Sequence, residues 1–240
     1  GFFQAYQFQT QIPSASDLEL VGSNALQEDQ AMLTDNAKLY QDQEARNTMG
    51  VLDKNSIVTL KKKKGERFFV ESSKGNGWIS MYNIAPAYLF AGSDIKNKYD
   101  ARFNAHRKIH PFSASWERPV YGSDITLFFL QLQNTTPYTV EDIVVQINIK
   151  DDGGNVVHVE KLVITGQILA GDTSKIGTLN PEKGSDDLPQ ILTISELERR
   201  EKTDPSVTSR WVESIEMNFG KGKFSGAAIS VTQANTLFKE

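Results

Sequence analysis

The residues of this 240-residue chain that could do chemistry are few and scattered. His106 and His110 stand four apart, a spacing that on a helix would turn two imidazoles toward one metal ion. Pro111 follows directly, and the residue before a proline is pushed out of the helical region, so both are read as solvated histidines. His158 falls inside an alternating strand pattern and reads as a half-buried sheet residue. A serine nucleophile would need a strained elbow such as GxSxG or a nearby histidine base, and the sequence supplies neither motif. Asp151-Asp152 and Asp186-Asp187 lie beside glycines, where aspartate is favoured for bonding its own backbone. Calcium held by Asp151, Asp152 and Asn155 would lack the twelve-residue acidic loop that such sites use. The spaced glycines of GKGKFSG, from Gly220, fall between strands and read as a hairpin turn. With no cysteine, thiol nucleophiles, thiolate metal ligands and disulfides are excluded together. The expectation is a non-catalytic chain with no catalytic residue, no metal and no cofactor.

What remains is a set of aromatics, Tyr40, Phe68, Phe69, Trp78 and Tyr82, closely spaced among short β-rich pieces. Flat rings give contact area at little conformational cost, so an exposed strip of them suits an extended ligand. Phe68 and Phe69 are adjacent in a strand and must face opposite ways, so at most one is core. Tyr40, Trp78 and Tyr82 are the candidate binding residues; for Trp78 the stronger competing reading is barrel core. The run Lys61 to Lys64, followed by Gly65, reads as a solvated loop between strands, with contact to an anionic polymer as the alternative.

The elements that must position these residues are nearly all strands. Phe3 to Ile12 sets Tyr6, Phe8, Thr10 and Ile12 against Gln7, Gln9 and Gln11, a strand with one dry face. From Ala31 to Ile84 short apolar pieces alternate with Asp, Asn, Lys and Gly clusters too tightly for any helix, and closing them into a small barrel would remove exposed edges. Val58, Leu60, one of Phe68 and Phe69, Val70 and Ile79 are its expected interior. Residues 86–118 keep no clean period and read as a structured connector packed through Tyr88, Phe90, Phe103 and Phe112. Longer strands return after Val120, with Val145, Ile147 and Ile149 alternating against Gln146 and Asn148, and Asp151 to Asn155 turning a hairpin. Pro189 to Lys202 is the one stretch read as a helix, or as a strand followed by one helical turn. The resulting organisation is 1–30 strand and loop, 31–85 barrel, 86–118 connector and 119–240 a two-sheet sandwich.

Two stretches resemble known families. Ala31 to Ile84, with AKLYQDQEARNTMGVLDKNSIVTL, a basic turn, RFFVES and then Gly77-Trp78-Ile79-Ser80, resembles bacterial SH3-like domains, whose closing strand is usually Gly-Trp-Val-Ser. Where that family carries Asn-Val-Arg, this chain has Lys38-Leu39-Tyr40. Ser123 to Leu179 resembles the immunoglobulin-like accessory domains of exported bacterial proteins, on the corner Asn134-Thr135-Thr136-Pro137-Tyr138 and the loop Leu169-Ala170-Gly171-Asp172-Thr173. The resemblances imply an all-β chain, a small SH3-like barrel plus an immunoglobulin-like β-sandwich. They also imply an exported protein, periplasmic or at the cell surface, whose barrel contacts peptidoglycan or an envelope protein.

Composition narrows the partners. A net charge of −4 and a pI near 5.5 argue against nucleic acid, which asks for a basic face. A mean hydropathy of −0.40 leaves no window for a transmembrane segment. The start at Gly1 is read as following a removed export leader, an expectation that leaves room for a lipid anchor upstream of residue 1. The leading expectation is a cell-envelope binding or adaptor protein. The alternative is a purely structural or interaction module of a surface complex, without carbohydrate binding.

Overall fold

A computed structural model of the chain describes residues 26–90, 93–118, 124–219 and 224–237. The expected strand at Phe3 to Ile12 and the turn at 220–223 lie outside the described residues. The fold is all-β and divides into two compact units, Gly1–Phe103 and Asn104–Glu240.

The first unit is a nearly closed, barrel-like sheet. Its strands are β1 (Gln30–Leu33), β2 (Ala37–Tyr40), β3 (Thr48–Leu52), β4 (Ile57–Lys64), β5 (Arg67–Ser72), β6 (Gly75–Ser80) and β7 (Ile84–Pro86), in the order β3-β2-β6-β5-β4-β1-β7. Period-two alternation fills the interior: Val58 and Leu60 from β4, Phe68 and Val70 from β5, Ile79 from β6 and Leu39 from β2 are all buried. Phe68 is therefore the inward member of the Phe68–Phe69 pair. A bulge between Leu60 and Lys62 shifts the register of β4 against β5, so Lys62 pairs with Phe69 and Lys63 with Phe68. The expectation of no helix in this stretch needs one correction: Met81–Asn83 form a 3₁₀ turn, where the Ser80 hydroxyl accepts the Tyr82 N–H.

A second correction concerns 86–118. Helix α1 (Ser93–Phe103) occupies part of it and belongs to the barrel's core rather than to a spacer. Tyr99 and Phe103, four apart and so one above the other on the helix, are both buried. Phe103 meets Phe68 edge-on at 5.5 Å and Tyr99 lies 4.7 Å from Tyr88. Burial pushes the Tyr99 hydroxyl well above the ordinary tyrosine range. Arg102 ties the helix to the start of the barrel through Glu28 at 3.1 Å and Asp29 at 3.2 Å.

The second unit holds β8 (Ile109–Glu117), β9 (Ile125–Asn134), β10 (Val140–Lys150), β11 (Val156–Thr165), β12 (Thr173–Leu179), β13 (Gln190–Thr193), α2 (Ile194–Glu201), α3 (Val207–Arg210), β14 (Trp211–Val212), β15 (Ile215–Asn218) and β16 (Gly226–Thr236). Among the described residues its nine strands form one connected sheet, not two separate ones. The join is made by β13, which runs antiparallel to β12 and parallel to β11 at Ile164 and Thr165. One core results, with Ile143, Val145, Ile147 and Ile149 of β10 facing Phe128, Leu130 and Leu132 of β9 and Met217 of β15.

Local chemistry fixes the turns. The Asp151 carboxylate accepts the N–H groups of Gly153 and Asn155, both at 2.9 Å, and closes the β10–β11 hairpin, with Gly154 in the left-handed region at φ 79°. These backbone bonds hold the Asp151 carboxyl below its usual range. At the other end Asn134 is fully buried; its amide donates to the carbonyls of Tyr138, Ile168 and Leu169, and its carbonyl accepts from Thr136. At Pro189 to Lys202 the chain forms a short strand followed by two helical turns. Thr193 caps α2, and Glu196 in its first turn binds both Arg199 and Arg200.

Candidate functional site

The candidate site is built from the outward residues of the barrel sheet. With Leu39, Phe68, Val70 and Ile79 pointing in, alternation turns Lys38, Tyr40, Arg67, Phe69 and Trp78 out. Register then brings distant positions together. Tyr40 of β2 is directly opposite Trp78 of β6, Trp78 is opposite Phe69 of β5, and Phe69 is opposite Lys62 of β4. One residue from each of four neighbouring strands thus makes a row across the barrel, its aromatic members half-buried.

Two contacts organise the row. The Phe69 and Trp78 rings are tilted together with centroids 5.4 Å apart, and the Arg67 guanidinium lies 5.4 Å over the Tyr40 ring. Arg67 is paired with Ser80, so it reaches Tyr40 across the intervening strand. The close approach of β2 to β6 depends on Gly77. A Cβ at that position would stand 2.7 Å from the Tyr40 carbonyl oxygen and 2.9 Å from the Leu39 side chain.

Of the three residues singled out from sequence, Tyr40 and Trp78 come together and Tyr82 does not. Tyr82 stands in the 3₁₀ turn, its ring against the barrel core and its hydroxyl donating to the Glu66 carboxylate at 2.9 Å, which raises that hydroxyl above its ordinary range. Trp78 is on the outer face; Phe68 takes the interior place that the core reading gave it. Arg67 and Lys38 are the members that sequence reasoning misses, and Lys62, read there as part of a solvated loop, lies instead on β4. Their signal is the strand alternation that sets Phe68 against Phe69, applied to Arg67 on the same strand and to Lys38 beside Leu39 on β2.

The other candidates separate. His106 sits in a 3₁₀ turn and His110 on β8, so their spacing does not place them on one helix face. His158 contacts Glu160 at 2.9 Å on β11 and packs against Phe219. Among the described residues no three acidic or histidine side chains converge as a metal set. The second unit carries a cleft of about 390 Å³ between the 180–189 loop and α2 and α3. Its arginines are engaged internally, Arg200 with Glu196 and Gln190 and Arg210 with Asp204 and the Asn180 carbonyl.

Comparison with protein-family models, with curated proteins and with solved structures gives no match.

Proposed function

We propose that this chain is a non-catalytic binding or adaptor protein of the cell envelope, exported to the periplasm or cell surface, in which an SH3-like barrel holds an extended ligand and an immunoglobulin-like sandwich spaces it or adds a second interface. The observation that carries the reading is the row Tyr40–Trp78–Phe69, three half-buried rings in register on one outer face. Such a row offers stacking surface to a sugar ring or a peptide plane without the cost of ordering long side chains. Isolated peptidoglycan, or an envelope protein segment, is the expected partner. The test is retention of the whole chain on purified peptidoglycan and on envelope extracts, against the Tyr40→Ala/Trp78→Ala double variant. Retention by neither material, or equal retention of the variant, ends the proposal.

A second reading, an interaction module without carbohydrate binding, is favoured by β11. That strand exposes Val157, Val159 and Val163 at 55%, 48% and 69%, and among the described residues pairs beyond β10 only through Ile164 and Thr165. An open edge with apolar side chains is a surface on which another strand can add. Retention on envelope protein but not on peptidoglycan selects it.

A further inference from the structure

The aromatic row is bordered by cations that the barrel does not neutralise. Among the described residues Arg67 has the Tyr40 ring over which it lies but no carboxylate, and Lys38, two positions before Tyr40 on the same face of β2, is exposed with no ion partner. Of the carboxylates nearest Arg67 in sequence, Glu71 pairs with Lys61 at 3.2 Å and Glu66 accepts the Tyr82 hydroxyl, while Asp35 and Asp42, nearest Lys38, accept backbone N–H groups of their own turns. In a chain of net charge −4, Arg67 and Lys38 therefore set positive charge beside the row of half-buried rings on the barrel's outer face.

From this juxtaposition of Tyr40, Trp78 and Phe69 with Arg67 and Lys38 we infer that the row binds an extended acidic protein segment, its carboxylates meeting Arg67 and Lys38 while its backbone and apolar side chains lie on the rings. The inference rests on the binding role proposed above and names its ligand class. A guanidinium held over a ring makes no hydrogen bond to a carboxylate by that contact, so a ligand carboxylate can still take two of its N–H groups at once. Strands about 4.8 Å apart set neighbouring members of the row at that interval, and Lys38 and Arg67, on strands two apart, are roughly 10 Å from each other across it. A polypeptide can supply both flat amide planes and carboxylates at such intervals. A neutral glycan supplies only the stacking.

The test titrates the full chain into a fluorescein-labelled extended peptide alternating glutamate with valine, into its glutamine counterpart, and into soluble neutral peptidoglycan glycan, by fluorescence anisotropy. The acidic peptide is expected to bind at least tenfold more tightly than the glutamine one, to weaken about tenfold as salt rises from about 0.05 to 0.5 M, and to weaken about tenfold in Arg67→Gln. Lys38→Gln, at an exposed position, repeats the loss in a variant whose fold is not at risk, and circular dichroism melts certify both. Equal affinity for the two peptides, or unchanged affinity in both variants, overturns the inference. Glycan binding that needs Tyr40 and Trp78 but ignores salt and Arg67 overturns it too while the broader binding role survives. Loss of every interaction ends both.

Discussion

Arg67 lays its guanidinium over the ring of Tyr40 from the far side of β6, so that two residues on strands that do not touch are joined above a third. The contact depends on closure of the sheet: were β2 unpaired from β6, Tyr40 would be out of reach. It also gives the surface a defined polarity, rings along one line and cations along the next.

Trp78 and Phe68 separate surface from interior. Phe68→Ala removes a fully buried ring that also packs on Phe103, and should cost about 3–5 kcal/mol. Trp78→Ala removes a half-buried ring and should cost about 1–2 kcal/mol, leaving a folded barrel with weakened ligand binding. Urea unfolding of the two variants decides it; equal losses would place Trp78 in the core after all.

Gly77→Ala should open the barrel where Gly50→Ala does not. The first adds a methyl 2.7 Å from a backbone oxygen, while a methyl at Gly50 meets nothing within 4 Å. A loss of about 2 kcal/mol or more is expected at Gly77, against a change within about 0.5 kcal/mol at Gly50. Amide exchange at Leu39 to Gln41 should quicken only in the first variant.

Asn134 holds three carbonyls at one corner of the second unit. Asn134→Ala leaves buried acceptors without donors and should cost about 2–4 kcal/mol. Asn134→Asp keeps the shape but brings a buried charge with no N–H to give, so it should fare no better. Thermal melts measure the loss, and hydrogen exchange should localise it to 134–140 and 166–172.

Glu196 gives a pH signature. Its hydrogen bonds to Arg199 and then Arg200 lower its carboxyl from 4.5 to about 2, so it binds protons less readily folded than unfolded. Its contribution is present above pH 4.5 and is lost as the pH falls from there toward 2. Urea midpoints at about pH 5, 3.5 and 2.5 should fall less steeply in Glu196→Gln than in the native chain. Parallel curves would show that the pair does not stabilise the fold.

The parts of the fold legible in sequence are those where one face is dry over several consecutive residues. Ile143 to Ile149 alternates cleanly because β10 lies between two strands over one core, and Val58, Leu60, Val70 and Ile79 do the same for the barrel. Helix α1 escaped because only Tyr99 and Phe103 of SDIKNKYDARF are fully buried, too few to establish a period. Strand β8 escaped because Ile109 alone is buried, and its Pro111, Ser113 and Ser115 imitate a loop. The row was half legible. Residue type marked Tyr40 and Trp78, but which aromatics share a face depends on the β2–β6 pairing, and no local pattern specifies a contact between positions so distant in sequence. Tyr82 was grouped with them for its type, and the 3₁₀ turn carries it to Glu66 instead.

The meeting of β2 with β6 through the single pair Tyr40–Trp78 makes that line the seam of the barrel. The hairpins β2–β3, β4–β5 and β5–β6 join neighbours in sequence, whereas the seam, like the β1–β7 pairing, joins positions far apart in sequence and carries a large loop-closure entropy. Held by one pair in register where β1–β7 has three, it is the weaker of these two long-range joins and the first to part. Anything lying along the row bridges it like a staple, so occupancy and closure of the barrel are thermodynamically one equilibrium, and a ligand would be felt as slower opening between β2 and β6 before it was felt anywhere else.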